Sequence, residues 1–121
     1  MPNPNQVVGQ ARIRVDADTL ETKSGATLEL GGPVRTAQRG DYQAGAFSEE
    51  EAESKLTCTI LVKANVRLTD LRAIDNATIT FSADTGQTFI IRNAYVADVI
   101  SLTTGGDGAS VVFQGPRAEE L

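Results

Sequence analysis

The sequence contains no histidine, no tryptophan and one cysteine, and its 121 residues include only four phenylalanines and two tyrosines. The lack of histidine removes the commonest general base and metal ligand and excludes the serine–histidine–aspartate triad of hydrolases. Cys58 has no second cysteine to pair with, which suits a reducing compartment, and its strand position indicates a small buried hydrophobe. Aliphatic side chains must therefore fill the core of a single domain of this length.

Basic side chains are also scarce, since 16 acidic and 11 basic residues give a formal charge of −5. Tight nucleic-acid binding needs clustered lysine and arginine, so this class of function is disfavoured, whereas nucleic acid that passes without being held is not excluded. No apolar run is long enough to span a membrane, and residues 1–6 are polar, without a signal-peptide core. We expect a protein that is intracellular when made, or exported by a route that the sequence does not show.

Alternation of apolar and polar side chains predicts a mainly β fold, an antiparallel sandwich or barrel of about seven or eight strands. The clearest pair is residues 77–83 and 88–95, joined by a turn at 84–87, with Phe81 expected in the core. A short helix is predicted at 69–74 from three-residue apolar spacing, with Thr69 or Asp70 as its cap. Further strands are expected at 10–16, 56–63, 96–102 and 109–114, and a hairpin is expected between 19–22 and 26–30.

A polar stretch at residues 31–54 interrupts the strand pattern and is longer than ordinary loops. Two structures remain open for it. Gly40 and Gly45 favour an extended hairpin arm, whereas the capping-box spacing that begins at Ser48 is compatible with a short helix at 48–54. In the predicted domain organisation, residues 1–9 are a flexible arm, 10–117 a single β domain and 118–121 a charged tail.

The polar motifs lack the partners that catalysis or metal binding needs. Residues 105–108 (Gly-Gly-Asp-Gly) have neither the lysine of a phosphate loop nor the repeated oxygen ligands of a calcium loop, so they predict a hairpin turn. Asp16, Asp18 and Glu21 flank a strand end and a turn, where acidic residues are ordinary. We expect no catalytic, cofactor-binding or metal-binding residues.

Hydroxyl side chains follow the solvent faces of the predicted strands. Threonine favours solvated strand positions, which is one explanation of the pattern. The functional interpretation is a smooth, neutral-to-acidic wall of short side chains, tempered by Arg92 on the same face as Thr88. The candidate wall residues are Thr57, Thr59, Thr78, Thr80, Ser82 and Thr88.

Several segments, taken in order, resemble the tail tube proteins of contractile-tailed phages, specifically the Mu-like family. They are residues 24–32 (SGATLELGG), the excursion through Tyr42 that returns to the strand at 56–62, residues 77–95, and residues 111–115 (VVFQG) before an acidic tail. The resemblance covers roughly residues 10–117, nearly the whole chain. Each segment alone is common, and the specificity comes from their order and the total length.

The resemblance implies a β-sandwich with a flanking helix, assembled into stacked hexameric rings inside a contractile sheath. The rings form a hollow conduit through which genome DNA passes during infection without specific binding. The implied partners are further copies of the chain, the tail sheath protein, and baseplate and tape-measure proteins. The implied location is the virion tail, assembled in the cytoplasm of the host bacterium, and no catalytic residue or cofactor is implied.

In this setting the hydroxyl wall is a candidate lining for the bore, and the 31–54 segment is a candidate arm that orders on an adjacent ring. Open strand edges of a small sandwich invite pairing with other copies, and ring closure removes them. The alternatives are a type VI secretion tube, a tail adaptor or tube-end protein, and a non-enzymatic binding module, which the lack of tryptophan platforms disfavours for sugars. The candidate ring-stacking residues are Arg35, Arg39, Tyr42, Phe47, Glu49, Glu50 and Glu51.

Overall fold

The computed structural model describes residues 3–16, 18–64 and 66–121, so residues 1 and 2 of the predicted N-terminal arm lie outside it. Within the described residues the chain forms eleven strands and one short helix, which confirms the mainly β prediction. In chain order the elements are β1 (Ala11–Val15), β2 (Asp18–Leu20), β3 (Thr27–Glu29), β4 (Gly32–Gly40), β5 (Gln43–Ala52), β6 (Ser54–Ile60), α1 (Leu68–Arg72), β7 (Ala77–Ala83), β8 (Thr88–Val96), β9 (Ser101–Thr103), β10 (Gly108–Gly115) and β11 (Glu119–Glu120).

Nine of the strands form one antiparallel sheet in the order β2-β1-β7-β8-β10-β6-β3, with β11 beside β8 and β9 beside β10. A short seam lies between β8 and β10, where Val96 pairs with Phe113 and Tyr95 with Gln114. This seam divides the sheet into a first half (β2, β1, β7, β8 and β11) and a second half (β10, β6, β3 and β9). The two halves face each other around a common core.

The segment between β2 and β3 closes the sheet into a barrel. The Lys23 backbone N–H donates to the Thr59 carbonyl at 2.8 Å, and the Leu61 N–H donates to the Glu21 carbonyl at 2.8 Å. This pairing joins the strand edge that follows β2 in the first half to the end of β6 in the second half, beyond the stretch of β6 that pairs with β3. The barrel therefore closes on itself, and fewer edges are left open than the sequence predicts for a simple sandwich.

The predicted hairpin between residues 19–22 and 26–30 is wrong. β2 instead pairs with β1, around a turn at Asp16, and β3 pairs with β6. Asp16 has a positive φ of 55°, a conformation that aspartate tolerates better than most residues. Its carboxylate accepts a hydrogen bond from the Thr78 N–H at 3.0 Å, which fixes the turn against β7.

The core draws on both halves of the sheet, as the period-two patterns predict. In β6 the buried residues Leu56, Cys58 and Ile60 alternate with half-buried Thr57 and Thr59. The buried cluster consists of Ile13, Val15, Ile79, Ile91, Ala94 and Ala77 from the first half and Leu56, Cys58, Ile60, Val111 and Phe113 from the second.

The aromatic residue in the centre of this core is Phe113, which is completely buried. Phe81 shares the inward face of β7 but is only half-buried, with its ring centroid 6.4 Å from that of Phe89. The expectation of a fully buried Phe81 is therefore wrong. The reason is its position two residues before the end of β7, at the margin of the barrel.

The helix lies close to its predicted position, and Leu71 and Ile74 pack against the core. The predicted cap is wrong, because Arg67 occupies the N-cap position and makes no side-chain cap bond. Among the described residues, no helix is both long enough and apolar enough to cross a membrane.

Two further predictions concern the strand at 96–102 and the charged tail at 118–121. β8 ends at Val96 and β9 covers only Ser101–Thr103, so residues 97–100, expected to be part of a strand, lie outside the strands. Residues 118–121, the predicted charged tail, lie against the barrel, where β11 pairs with β8 and the Leu121 N–H donates to the Thr88 carbonyl at 2.9 Å. An ion pair at 3.1 Å between Arg92 and Glu119 adds to this contact.

Candidate assembly surfaces

The 31–54 segment forms a projecting hairpin, which we call the arm (residues 32–52). β4 and β5 pair only with each other, and no helix forms at 48–54. Every residue from 33 to 51 is exposed, so neither face of the arm is covered by the barrel. A two-stranded hairpin alone in water is marginally stable at best. The arm therefore gains little stability from packing against its own barrel.

The register of the arm separates its side chains into two faces. Arg35 and Phe47 share one face with Glu49: the Arg35 Nε lies 2.7 Å from the Glu49 carboxylate, and the guanidinium lies 5.9 Å from the Phe47 ring centroid. Glu51 on the same face reaches Arg117 at 3.6 Å and ties the arm to the barrel. The opposite face carries Val34, Thr36, Gln38, Ala46, Ser48 and Glu50.

The tip of the arm is formed by the remaining predicted stacking residues. Arg39 lies at the register shift between Gln38 and Gly40, two residues before the turn at 41–42. Tyr42 lies in the turn with a positive φ of 62° and a side chain that is fully exposed. The seven predicted arm residues are thus distributed over two faces and a tip, and they do not form one patch.

The six predicted wall residues also fall into two groups. Thr57 and Thr59 lie on the outer face of the second half of the sheet, while Thr78, Thr80, Ser82 and Thr88 lie on the outer face of the first half. The core lies between the halves, so these two outer faces point in opposite directions. One barrel therefore cannot present all six residues to the same bore.

The outer face of the first half is rich in arginine. Arg12 stands directly across from Ser82, and Arg14 stands across from Thr80. Arg92 lies on β8 and pairs with Glu119. Of these arginines, the strand pattern in the sequence predicts only Arg92 on this face. The alternation in β1 does indicate that Arg12 and Arg14 face outward, but it does not indicate which strand lies beside them.

The outer face of the second half, which we call the hydroxyl face, carries mainly short hydroxyl side chains. Thr57 lies across from Thr27 and Val112, and Thr59 lies across from Ser110. Lys55 and Glu29 stand opposite each other on this face. Lys23 also belongs to it and lies across from Thr59, because the neighbouring Thr22 pairs with Ile60. The Tyr95 hydroxyl donates to the Gln114 side-chain oxygen at 3.4 Å.

A cavity of about 560 Å³ opens where β1 and β6 end, beside α1. Its floor is apolar, formed by Val15, Leu20, Ile60, Leu71 and Ile74. Its rim is charged. It carries Asp16, Asp18 and Glu21, which the sequence places at a strand end and a turn, together with Lys63, Arg67 and Asp70.

Two ion pairs balance part of this rim, Lys63 with Glu21 at 2.8 Å and Arg67 with Asp70 at 3.7 Å. Asp16 and Asp18 leave an excess of negative charge, and the Asp18 carboxylate has no partner among the described residues. No group of three or more potential metal ligands occurs in the part of the chain that the structure describes.

The single thiol faces the core. Burial raises the pKa of Cys58 to about 11 from an ordinary value of 9.0. The unfolded chain releases this proton above pH 9, whereas the folded chain holds it to about pH 11, so this group lowers stability as the pH rises through that window.

We expect Cys58 to react with a disulfide reagent at pH 8 at least about a hundredfold more slowly in the folded protein than in denaturant, since two pKa units separate the thiolate fractions. Absorbance of the released thiol measures both rates, and the chain has no other cysteine to confuse them. Equal rates in the two states would show that the thiol is not buried.

The family of the chain is given by comparison with known proteins. A family model described as phage tail tube protein matches residues 4–120. The chain is 31% identical over 101 residues to the Mu-like prophage FluMu tail tube protein of Haemophilus influenzae, covering 84% of this chain and 85% of that protein. It is 34% identical over 94 residues to the tail tube protein of Escherichia phage Mu, covering 78% and 79%.

Solved structures give the same fold at much lower identity. The chain matches a component of the sheath–tube complex of an extracellular contractile injection system, PVC, with a TM-score of 0.66 at 13% identity over 95% of this chain and 90% of that one. It also matches the tube-terminating cap of the anti-feeding prophage, with a TM-score of 0.67 at 11% identity over 100% and 91%. The sequence matches span most of each chain, and the barrel is common to the structural matches: this chain belongs to the phage tail tube protein family.

Proposed function

We propose that this protein is the structural subunit of a phage tail tube, in which hexameric rings stack into a hollow conduit for genome DNA. Membership of the tail tube family carries the proposal. The exposed arm supports the proposal. A lone hairpin is marginally stable, and neither face of the arm is covered, so the arm is suited to bridging identical copies. The protein acts by assembly and geometry, without catalytic residues.

We assign the hydroxyl face to the bore. DNA that must slide through a tube needs a wall without clustered cations, because lysine and arginine hold phosphates electrostatically. The hydroxyl face carries Lys55, opposite Glu29, and Lys23 beside Thr59. The outer face of the first half carries three arginines, Arg12, Arg14 and Arg92, with Arg92 paired to Glu119. Thr57 and Thr59 are therefore the predicted wall residues that line the conduit, and the other four lie away from it.

The arginine-bearing face is then available on the outside of the tube. We propose that it contacts the tail sheath, while baseplate and tape-measure proteins meet the ends and the interior. Assembly takes place in the host cytoplasm before the tail is completed. A tube-end or cap protein of the same fold is the second candidate, favoured by the equally good match to a tube-terminating cap.

Electron microscopy of the concentrated protein, combined with sedimentation velocity, tests this function. We expect rings that stack into tubes of variable length as concentration rises, with six-fold views along the axis. A tube-end protein would stop at single or paired rings at every concentration. A protein that stays monomeric at millimolar concentration would contradict both forms of the proposal.

A further inference from the structure

We propose that the tip of the arm of one copy inserts Tyr42 into the cavity beside α1 of a copy in the next ring, with Arg39 meeting the carboxylate of Asp18. The inference rests on the proposed tube function and names the receptor for the arm. The cavity of each copy is therefore occupied by the arm tip of a second copy of this chain.

The arm and the cavity lie at opposite ends of one strand. Only Glu53 separates the arm from β6, so the arm projects from the end of the strand that begins at Ser54. The cavity is lined by Ile60, the last residue of β6, and by Leu61 after it. Seven residues of strand separate the two features by about 20 Å. A subunit with a projection at one end and a recess at the other can bind its neighbours head to tail.

The tip carries a side chain that its own barrel does not use. The Tyr42 side chain is fully exposed, and its left-handed backbone is a conformation that aromatic residues rarely adopt. Tyrosine is, however, a rigid anchor that buries about 150–250 Å² when it enters an apolar site. The apolar floor at Leu20, Leu71 and Ile74 offers such a site, with a polar rim for the hydroxyl group.

Charge fixes the orientation of the insertion. After the two ion pairs of the rim are made, Asp16 and Asp18 remain as excess negative charge. The Asp16 carboxylate is held by the Thr78 N–H, which leaves Asp18 as the acceptor for a partner. Arg39 lies next to the arm turn and three residues before Tyr42, and the structure gives it no ion pair within the described residues. Opposite charges flanking an aromatic anchor match the anatomy of a compact interaction site.

A contact between two different surfaces does not close on itself in a two-fold dimer. Repetition of such a head-to-tail contact produces an open-ended stack. The insertion therefore explains why the number of rings is not limited by the subunit itself. It also predicts that one end of every tube exposes unfilled cavities and the other exposes free arms.

A charge exchange tests the contact. The variant Arg39→Asp is expected to form rings that do not stack, and Asp18→Arg alone is expected to do the same. Combining Asp18→Arg with Arg39→Asp in one chain is expected to restore tubes, because the ion pair is rebuilt with its signs exchanged. Combining Asp107→Arg, an equal charge change in a distant exposed turn, with Arg39→Asp is the matched control and should not restore them. Tube length in electron micrographs is the measurement, and unchanged circular dichroism verifies that each variant folds.

The aromatic anchor is tested separately with Tyr42→Ala and Tyr42→Phe. Tyr42→Ala should leave single protein rings. Tyr42→Phe keeps the aromatic side chain, so its protein rings should stack. If wild-type protein forms tubes and Arg39→Asp or Tyr42→Ala forms them equally well, the inference is overturned while the tube function stands. Loss of stacking without rescue by Asp18→Arg would place the receptor elsewhere and also overturn it. Absence of tubes in the wild-type protein would contradict the function itself.

Discussion

Replacing residues 35–49 with an Asn-Gly dipeptide is expected to leave the barrel folded and to abolish tube formation. The cut removes the arm symmetrically, because Val34 pairs with Glu50 and a two-residue Asn-Gly turn closes such a ladder well. The arm supplies no member of the buried core, so its loss should change the melting temperature of the unassembled protein by little. Stacking should fail because the surface that bridges rings is gone. Electron microscopy and a thermal scan measure the two effects on the same sample.

The matched control for this deletion removes residues 3–8, which are exposed and outside every strand. It should fold and form tubes of normal length if the arm alone bridges rings. Normal tubes from the arm-deleted protein would refute the bridging role. Unfolding of that protein would show that the arm stabilises the barrel, contrary to its exposure on both faces.

Phe113→Ala is expected to lower the free energy of unfolding by about 3–5 kcal/mol, the range for truncating a large aromatic residue in a closed core. Phe113 is completely buried in β10 between β6 and the end of β8. Phe81→Ala is the matched control and should cost clearly less, because that ring is only half-buried at the margin of the barrel. Urea unfolding in the arm-deleted background measures both values without the stabilisation that tube assembly adds.

An equal loss for the two substitutions would contradict the burial described here. A loss larger for Phe81→Ala would show that the centre of the core lies toward the turn that joins β7 to β8. The comparison also tests the barrel closure, because the Phe113 ring is shielded from water only if the two halves of the sheet pack against each other around it.

Local patterns in the sequence predict the elements of this fold well. The β7–β8 hairpin is evident because β7 alternates strictly and a short turn separates it from the apolar run of β8, so that pairing partners are neighbours in sequence. The helix is evident from the spacing of Leu71 and Ile74. The arm is recognisable as a polar, glycine-punctuated stretch, although the residues alone leave its hairpin and helical forms open.

Pairings between distant segments could not be read from the same patterns. β3 has the alternation of a hairpin partner for the residues before it, yet it pairs with β6, because alternation specifies a face and not a neighbour. The same limit hides the arginines beside Thr80 and Ser82 and the division of the hydroxyl residues between two faces. It also hides the cavity, whose floor comes from four separate segments of the chain.

Barrel closure changes the physical basis of assembly. The sequence predicts open sandwich edges that other copies complete, but residues 21–23 join the two halves within one chain. The most extensive unpaired edges that remain belong to the two strands of the arm. Association between rings is therefore expected to depend on the arm and its receptor more than on the edges of the barrel.

A cryo-electron microscopy reconstruction of the assembled protein, at a resolution that shows side chains, tests the central claim most directly. We expect a hollow tube whose bore is lined by Thr57 and Thr59, with each arm reaching a subunit of the next ring. A bore lined by Arg12 and Arg14, or solitary barrels whose arms contact no other copy, would contradict it.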